Sequence, residues 1–170
     1  VQNTFYGLTW DVKSVPNAKN VAYTSRHLDF HMDLLYMTEA PKIQLLHCLE
    51  NSCAGGESRF ADTFEAIDRL LSQPEGPGLY SALGNFEIAY SYRNDGHHYQ
   101  KNRTTISHLP IGIRHYYHNA ENFHLMSEIR QIYYSPPFEH HEPKLDARNL
   151  KAVTKARRMF EDILQSDGMA

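Results

Sequence analysis

Alternation of apolar and polar side chains runs through much of this chain, and a helical period takes over at its end. Strands are expected where β-branched and aromatic residues recur at alternate positions, at about 20–24, 43–50, 58–61, 86–93, 97–107, 111–118 and 123–134. Asn94-Asp95-Gly96 suits a tight hairpin turn between two of them. A short helix is expected from Asp62, whose carboxylate can cap the amides of Thr63 to Glu65, to about Ser72. Gln73-Pro74-Glu75-Gly76-Pro77-Gly78 then breaks the pattern. From about Asp146 to Gln165 the helical period gathers Leu150, Val153, Phe160, Ile163 and Leu164 on one face, with Gly168 as its stop. That helix reads as packing without chemistry. Short antiparallel strands with helical insertions predict a mainly β jelly roll that shelters a site between its sheets. No repeat, low-complexity tract or linker divides the chain, so residues 1–170 are expected to form one domain.

Composition alters this picture little. The 170 residues are 41% hydrophobic and 22% charged, as in ordinary globular domains. A net charge of -3 offers no basic footprint for nucleic acid, and no apolar run approaches membrane-spanning length. No signal or transit segment is visible. Two cysteines, Cys48 and Cys53, lack the spacing of a zinc site and suggest a reducing compartment, hence an intracellular protein, cytoplasmic or mitochondrial.

The chemistry concentrates in Phe30-His31-Met32-Asp33. On a strand, His31 and Asp33 would point to the same face and present an imidazole nitrogen beside a carboxylate oxygen. Those are two corners of the two-His-one-carboxylate triad of non-haem iron oxygenases. A second group is aromatic: Tyr6 and Trp10 stand four apart and Tyr23 follows. Three ring faces could hold a cation at about 0.5 to 2 kcal/mol each, although rings of this kind also serve as ordinary core packing.

Five segments in order, Asn3-Thr4-Phe5-Tyr6-Gly7-x-Thr9-Trp10, Asn20-Val21-Ala22-Tyr23-Thr24, Phe30-His31-Met32-Asp33, Gln44-Leu45-Leu46-His47-Cys48 and Gly55-Gly56-Glu57-Ser58, resemble the γ-butyrobetaine dioxygenase family. These are 2-oxoglutarate-dependent oxygenases related to taurine dioxygenase. The match is dense from about Val1 to Ile67 and thin beyond. The resemblance implies a double-stranded β-helix, Fe(II) on His31 and Asp33, and 2-oxoglutarate and O2 as co-substrates, with Leu46 flanking the 2-oxoglutarate and the Ser58 hydroxyl near its distal carboxylate. It also implies a trimethylammonium cage of Tyr6, Trp10 and Tyr23, with Asn20 orienting the substrate carboxylate. Leu34 and Tyr134 depart from the family pattern at the acid end of the substrate. The implied reaction is hydroxylation of γ-butyrobetaine to carnitine; trimethyllysine hydroxylation would use a similar cage, but Trp10 favours the first. The expected partner is therefore a small quaternary amine, and a homodimer is compatible with the sequence.

The family takes its second histidine ligand, and the arginine that grips 2-oxoglutarate, from a late Asp-Asn-x-Arg-x-x-His strand, and no such segment occurs between Ile67 and Ala170. The chain is accordingly expected to be a piece of the catalytic domain, incomplete at its C-terminal side and inactive alone. The alternative is a truncated, non-catalytic product that binds quaternary amines. His140 and His141 lie in a proline-rich loop and are not expected to replace the missing ligand, and His47 reads as a core or rim residue.

Overall fold

The computed structural model describes residues 3–18, 23–24, 27–52, 54–94, 96–110, 128–140 and 145–169. Three helices are present among them: α1 (Thr63–Leu71), α2 (Gly76–Asn85) and α3 (Ala147–Leu164). Strands β1 (Glu87–Asn94) and β2 (His97–Thr104) form one antiparallel pair, and β3 (Ile106–His108) and β4 (Ile129–Ile132) another. A 3-10 turn spans Pro136–Phe138. The described residues thus carry two small antiparallel sheets and three helices, which are parts compatible with a jelly roll and not a closed double sheet. None of these helices is long and apolar enough to cross a membrane.

The capping prediction holds at α1, where the Asp62 carboxylate accepts from the amides of Phe64 and Glu65 at 2.9 and 3.2 Å. Asp146 does the same for α3 through Asn149, at 2.9 Å. The expected break at 73–78 is shorter than the sequence suggested. Helix α2 begins at Gly76 and places Pro77 in its first turn, where a missing N–H costs little because first-turn amides have no intrahelical acceptor. Gly76 is required by close approach: a Cβ there would lie 2.3 Å from the Leu71 carbonyl oxygen.

In the first hairpin Asn94 faces His97, leaving a two-residue loop in which Gly96 has φ +79°. Alternation places Ile88, Tyr90 and Tyr92 on one face, opposite Arg103, Lys101 and Tyr99. The expected strand 97–107 is interrupted at Thr105, whose carbonyl accepts from Tyr133 at 2.7 Å, and 123–134 shortens to β4 within the described residues. Residues 111–118, also expected as a strand, lie outside the described residues.

Two cores result. Ala66, Ile67 and Leu70 of α1, Leu79 and Leu83 of α2, Ile106 and Ile132 of the second sheet, and Phe160 and Leu164 of α3 form the first. Leu34, Leu35, Tyr36, Ile88, Tyr90 and Val153 form the second. Helix α3 serves both, so its apolar stripe ties the helical layer to the first hairpin.

The strands expected at 43–50 and 58–61 are not formed. Ile43, Leu45, Leu46 and Leu49 are 68–90% exposed, and Phe60 is equally bare. Alternation alone does not make a strand: the ladder needs a partner edge, and no described segment pairs with this one. The expected strand near 20–24 is likewise absent at Tyr23 and Thr24, its two described residues.

Candidate metal and substrate site

His31 and Asp33 lie in an extended stretch without regular structure, a correction to the strand expected there. One backbone bond braces it, from the Met32 amide to the Tyr134 carbonyl at 2.8 Å. The side chains still meet, with His31 Nε2 3.5 Å from Asp33 Oδ1. His31 Nδ1 lies 2.7 Å from the Asp29 carbonyl oxygen, which can only accept, so Nδ1 carries the proton and donates. Nε2 then faces Asp33, whose carboxylate favours a proton there in the metal-free pair, a proton that a metal ion would displace. This is the outer-sphere arrangement that fixes a ligating imidazole. The Asp33 carboxylate holds the imidazole pKa above its ordinary 6.5, burial opposes this, and the Asp29 carbonyl adds to the rise.

An imidazole nitrogen and a carboxylate oxygen facing across 3.5 Å fit Fe(II), which takes mixed N and O donors. No group of three or more His, Cys, Asp or Glu residues suited to a metal occurs among the described residues. His140 is exposed in its loop, with its amide bonded to the Ala89 carbonyl, and His141 lies outside the described residues.

Immediately after the pair the backbone reverses. Leu34 adopts φ +62°, unusual for a side chain with a Cβ, and turns Leu34, Leu35 and Tyr36 into the second core. Arg103 of β2 fixes this turn through Leu35, Met37 and Thr38 carbonyls at 2.9, 2.6 and 3.1 Å. Leu34 is 5% exposed and packs inward, so the acid-end contact expected of it is not presented in this arrangement. Tyr134 is equally buried: its ring meets Phe160 edge-on at 5.4 Å and lies under the Arg157 guanidinium, which also pairs with Glu139.

The aromatic group is built differently from the expected cage. Tyr6 and Trp10 stack with centroids 5.4 Å apart at 30°, which leaves no space for a cation between them and makes their outer faces the usable ones. No ring contact joins Tyr23 to either among the described residues; its carbonyl accepts from Val15 at 3.0 Å. Instead, Phe5, Tyr36, Tyr92 and Tyr99 back the pair. Tyr92 and Tyr99 escaped the sequence reading, yet their symmetric distance from the hairpin turn signals that they face one another. Leu46 and Ser58 stand exposed on the 43–60 stretch, and no hydrogen bond links Ser58 to His31 or Asp33 among the described residues. Asn20 lies outside the described residues.

A half-buried imidazole beside an exposed carboxylate, with the imidazole held from behind, is a pair of donors of the kind metal-dependent enzymes use. The chain belongs to the family described as taurine catabolism dioxygenase TauD, TfdA, whose model matches residues 1–169. It is 40% identical over 167 residues to Dioxygenase str8 of Strobilurus tenacellus, an alignment covering 98% of this chain and 35% of that protein. Gamma-butyrobetaine dioxygenase of Homo sapiens is 43% identical over 88 residues, 52% of this chain and 22% of that one. Trimethyllysine dioxygenase, mitochondrial, of Gallus gallus is 32% identical over 92 residues, 54% and 22% respectively. The chain therefore spans about a third or less of the curated relatives it matches.

Proposed function

We propose that this chain carries the first metal-ligand pair of an Fe(II)- and 2-oxoglutarate-dependent oxygenase with a double-stranded β-helix, acting on a small trimethylammonium compound, γ-butyrobetaine foremost. The observation that carries this reading is the His31 Nε2 to Asp33 Oδ1 pair with Nδ1 committed to the Asp29 carbonyl, a ligand set oriented before any ion arrives. Family membership supports the iron and 2-oxoglutarate dependence. The names of the relatives support the substrate class. When bound, Fe(II) with 2-oxoglutarate and O2 supplies the oxidising power for C–H hydroxylation, with succinate and CO2 as co-products.

The chain's own contribution is positional. His31 and Asp33 would hold the ion, Leu46 and Ser58 are carried as co-substrate neighbours, and the Tyr6 and Trp10 faces would draw the cationic end by cation–π attraction. Asn20, Tyr23, Leu34 and Tyr134 are carried as further substrate neighbours.

The test uses the full-length protein containing this chain, with Fe(II), 2-oxoglutarate and either γ-butyrobetaine, trimethyllysine or taurine. Succinate release that requires a trimethylammonium substrate and is abolished by His31→Ala is expected. Equal release with taurine overturns the substrate class, and full activity of His31→Ala overturns the metal pair. The 170-residue chain itself should bind Mn(II) weakly in calorimetry, and His31→Ala should abolish that binding.

A further inference from the structure

The short segment that bears Tyr6 has no sheet or helix to fix it. Two backbone hydrogen bonds between Thr4 and Gly7, 3.2 and 2.9 Å, close a tight turn with Phe5 and Tyr6 at its tip, and Gly7 at φ +98° permits it. Phe5 is then seated on the first hairpin, its centroid 5.0 Å from each of the Tyr92, His97 and Tyr99 rings. Tyr92 meets Tyr6 edge-on at 6.3 Å and stacks on Tyr36 at 5.2 Å. Tyr36 is 2% exposed and follows Asp33 by three residues. Three chain segments, the 4–7 turn, the reversal after the metal pair and the β1–β2 hairpin, thus converge on three phenols.

We propose that Tyr36 and Tyr92 are positioning residues which, through the Tyr6 ring, set where the ammonium-binding faces of Tyr6 and Trp10 stand relative to His31 and Asp33. This rests on the trimethylammonium reading above and extends it to the hairpin, which carries none of the candidate site residues read from the sequence. Burial, with hydrogen bonding to Tyr92 and Tyr36, pushes the Tyr6 hydroxyl pKa well up, so it stays a neutral phenol. A phenol fixed at its hydroxyl end cannot slide along its neighbour, and Trp10 stacks on that fixed ring. The separation between cation and metal pair selects which carbon is presented for oxidation. The hydroxyls of buried Tyr36 and half-buried Tyr92 would then govern that selection without touching the substrate.

Trp10 is the single tryptophan, so its fluorescence reports on this site alone. Tyr36→Phe and Tyr92→Phe keep the rings and delete the hydroxyls; Tyr80→Phe, whose hydroxyl bonds His108 at 3.0 Å in the helical core, is the structural control. Without ligand, acrylamide quenching of Trp10 should rise about twofold in the first two variants and stay unchanged in the control. Unchanged quenching in Tyr36→Phe and Tyr92→Phe overturns the proposal, whatever the ligand results. In titrations of the chain with γ-butyrobetaine and tetramethylammonium, both variants should bind roughly threefold to tenfold more weakly, the fold-change of one neutral hydrogen bond. A neutral tert-butyl analogue should bind poorly to all. Wild-type affinity for the cations in both variants also overturns the proposal. If the neutral analogue binds the wild type as well as the cations do, the trimethylammonium reading fails, while quenching still decides the positioning role.

Discussion

Under the proposed function, a proton and a metal ion compete for one nitrogen at His31. Its folded pKa is raised, chiefly by Asp33, so the metal-free pair stabilises the fold below the ordinary imidazole value of 6.5 and loses that contribution as pH rises through the folded value. Metal binding has the opposite dependence, because Nε2 must be deprotonated to ligate. Between about pH 5.5 and pH 8 the melting temperature of the metal-free chain should therefore fall relative to His31→Ala, while the gain on adding Mn(II) should grow. Melting curves across that range check both slopes, and parallel slopes would remove the His31–Asp33 interaction. The pair was legible in the sequence because its spacing is two. Its partners were not: the Asp29 carbonyl and the Tyr134 carbonyl behind Met32 are backbone atoms that any residue could supply.

Among the elements, α3 does most to hold the molecule together. Phe160 is fully buried and meets Tyr134 edge-on, so Phe160→Ala should cost about 3–5 kcal/mol in denaturant unfolding. Asp62→Ala, which removes only an exposed cap, should cost about 1 kcal/mol. Gly76→Ala should also destabilise, because the new methyl meets the Leu71 carbonyl and must push α1 and α2 apart. The two capped helices and the first hairpin were readable since their signals are local: an acceptor at the N-cap, a 3.6-residue period, a glycine at the turn. Helix α2 was not, because Gly-Pro-Gly marks a break and a first helical turn equally well. The jelly roll was read from alternation, yet pairing is a long-range property, and the 43–50 stretch shows alternation with no edge to join.

For the whole molecule the consequence is an apolar ribbon open to water. Ile43, Leu45, Leu46 and Leu49 expose more hydrophobic surface than an isolated globular domain keeps scattered. The 170-residue chain should associate with increasing concentration, and Leu45→Lys with Leu49→Lys should suppress this in sedimentation without lowering the melting temperature. A monomeric wild-type chain at high concentration would show that the ribbon is covered.

The brace between the Met32 amide and the Tyr134 carbonyl also has a meaning in time. Tyr134 lies about a hundred residues downstream, so at about 5–20 residues per second a ribosome delivers it some 5–20 s after Met32. Through that interval the emerging chain carries His31 and Asp33 without the Tyr134 carbonyl that steadies them. Any ion captured then would be held by a loose pair, and the braced arrangement forms only once the later half of the chain has arrived.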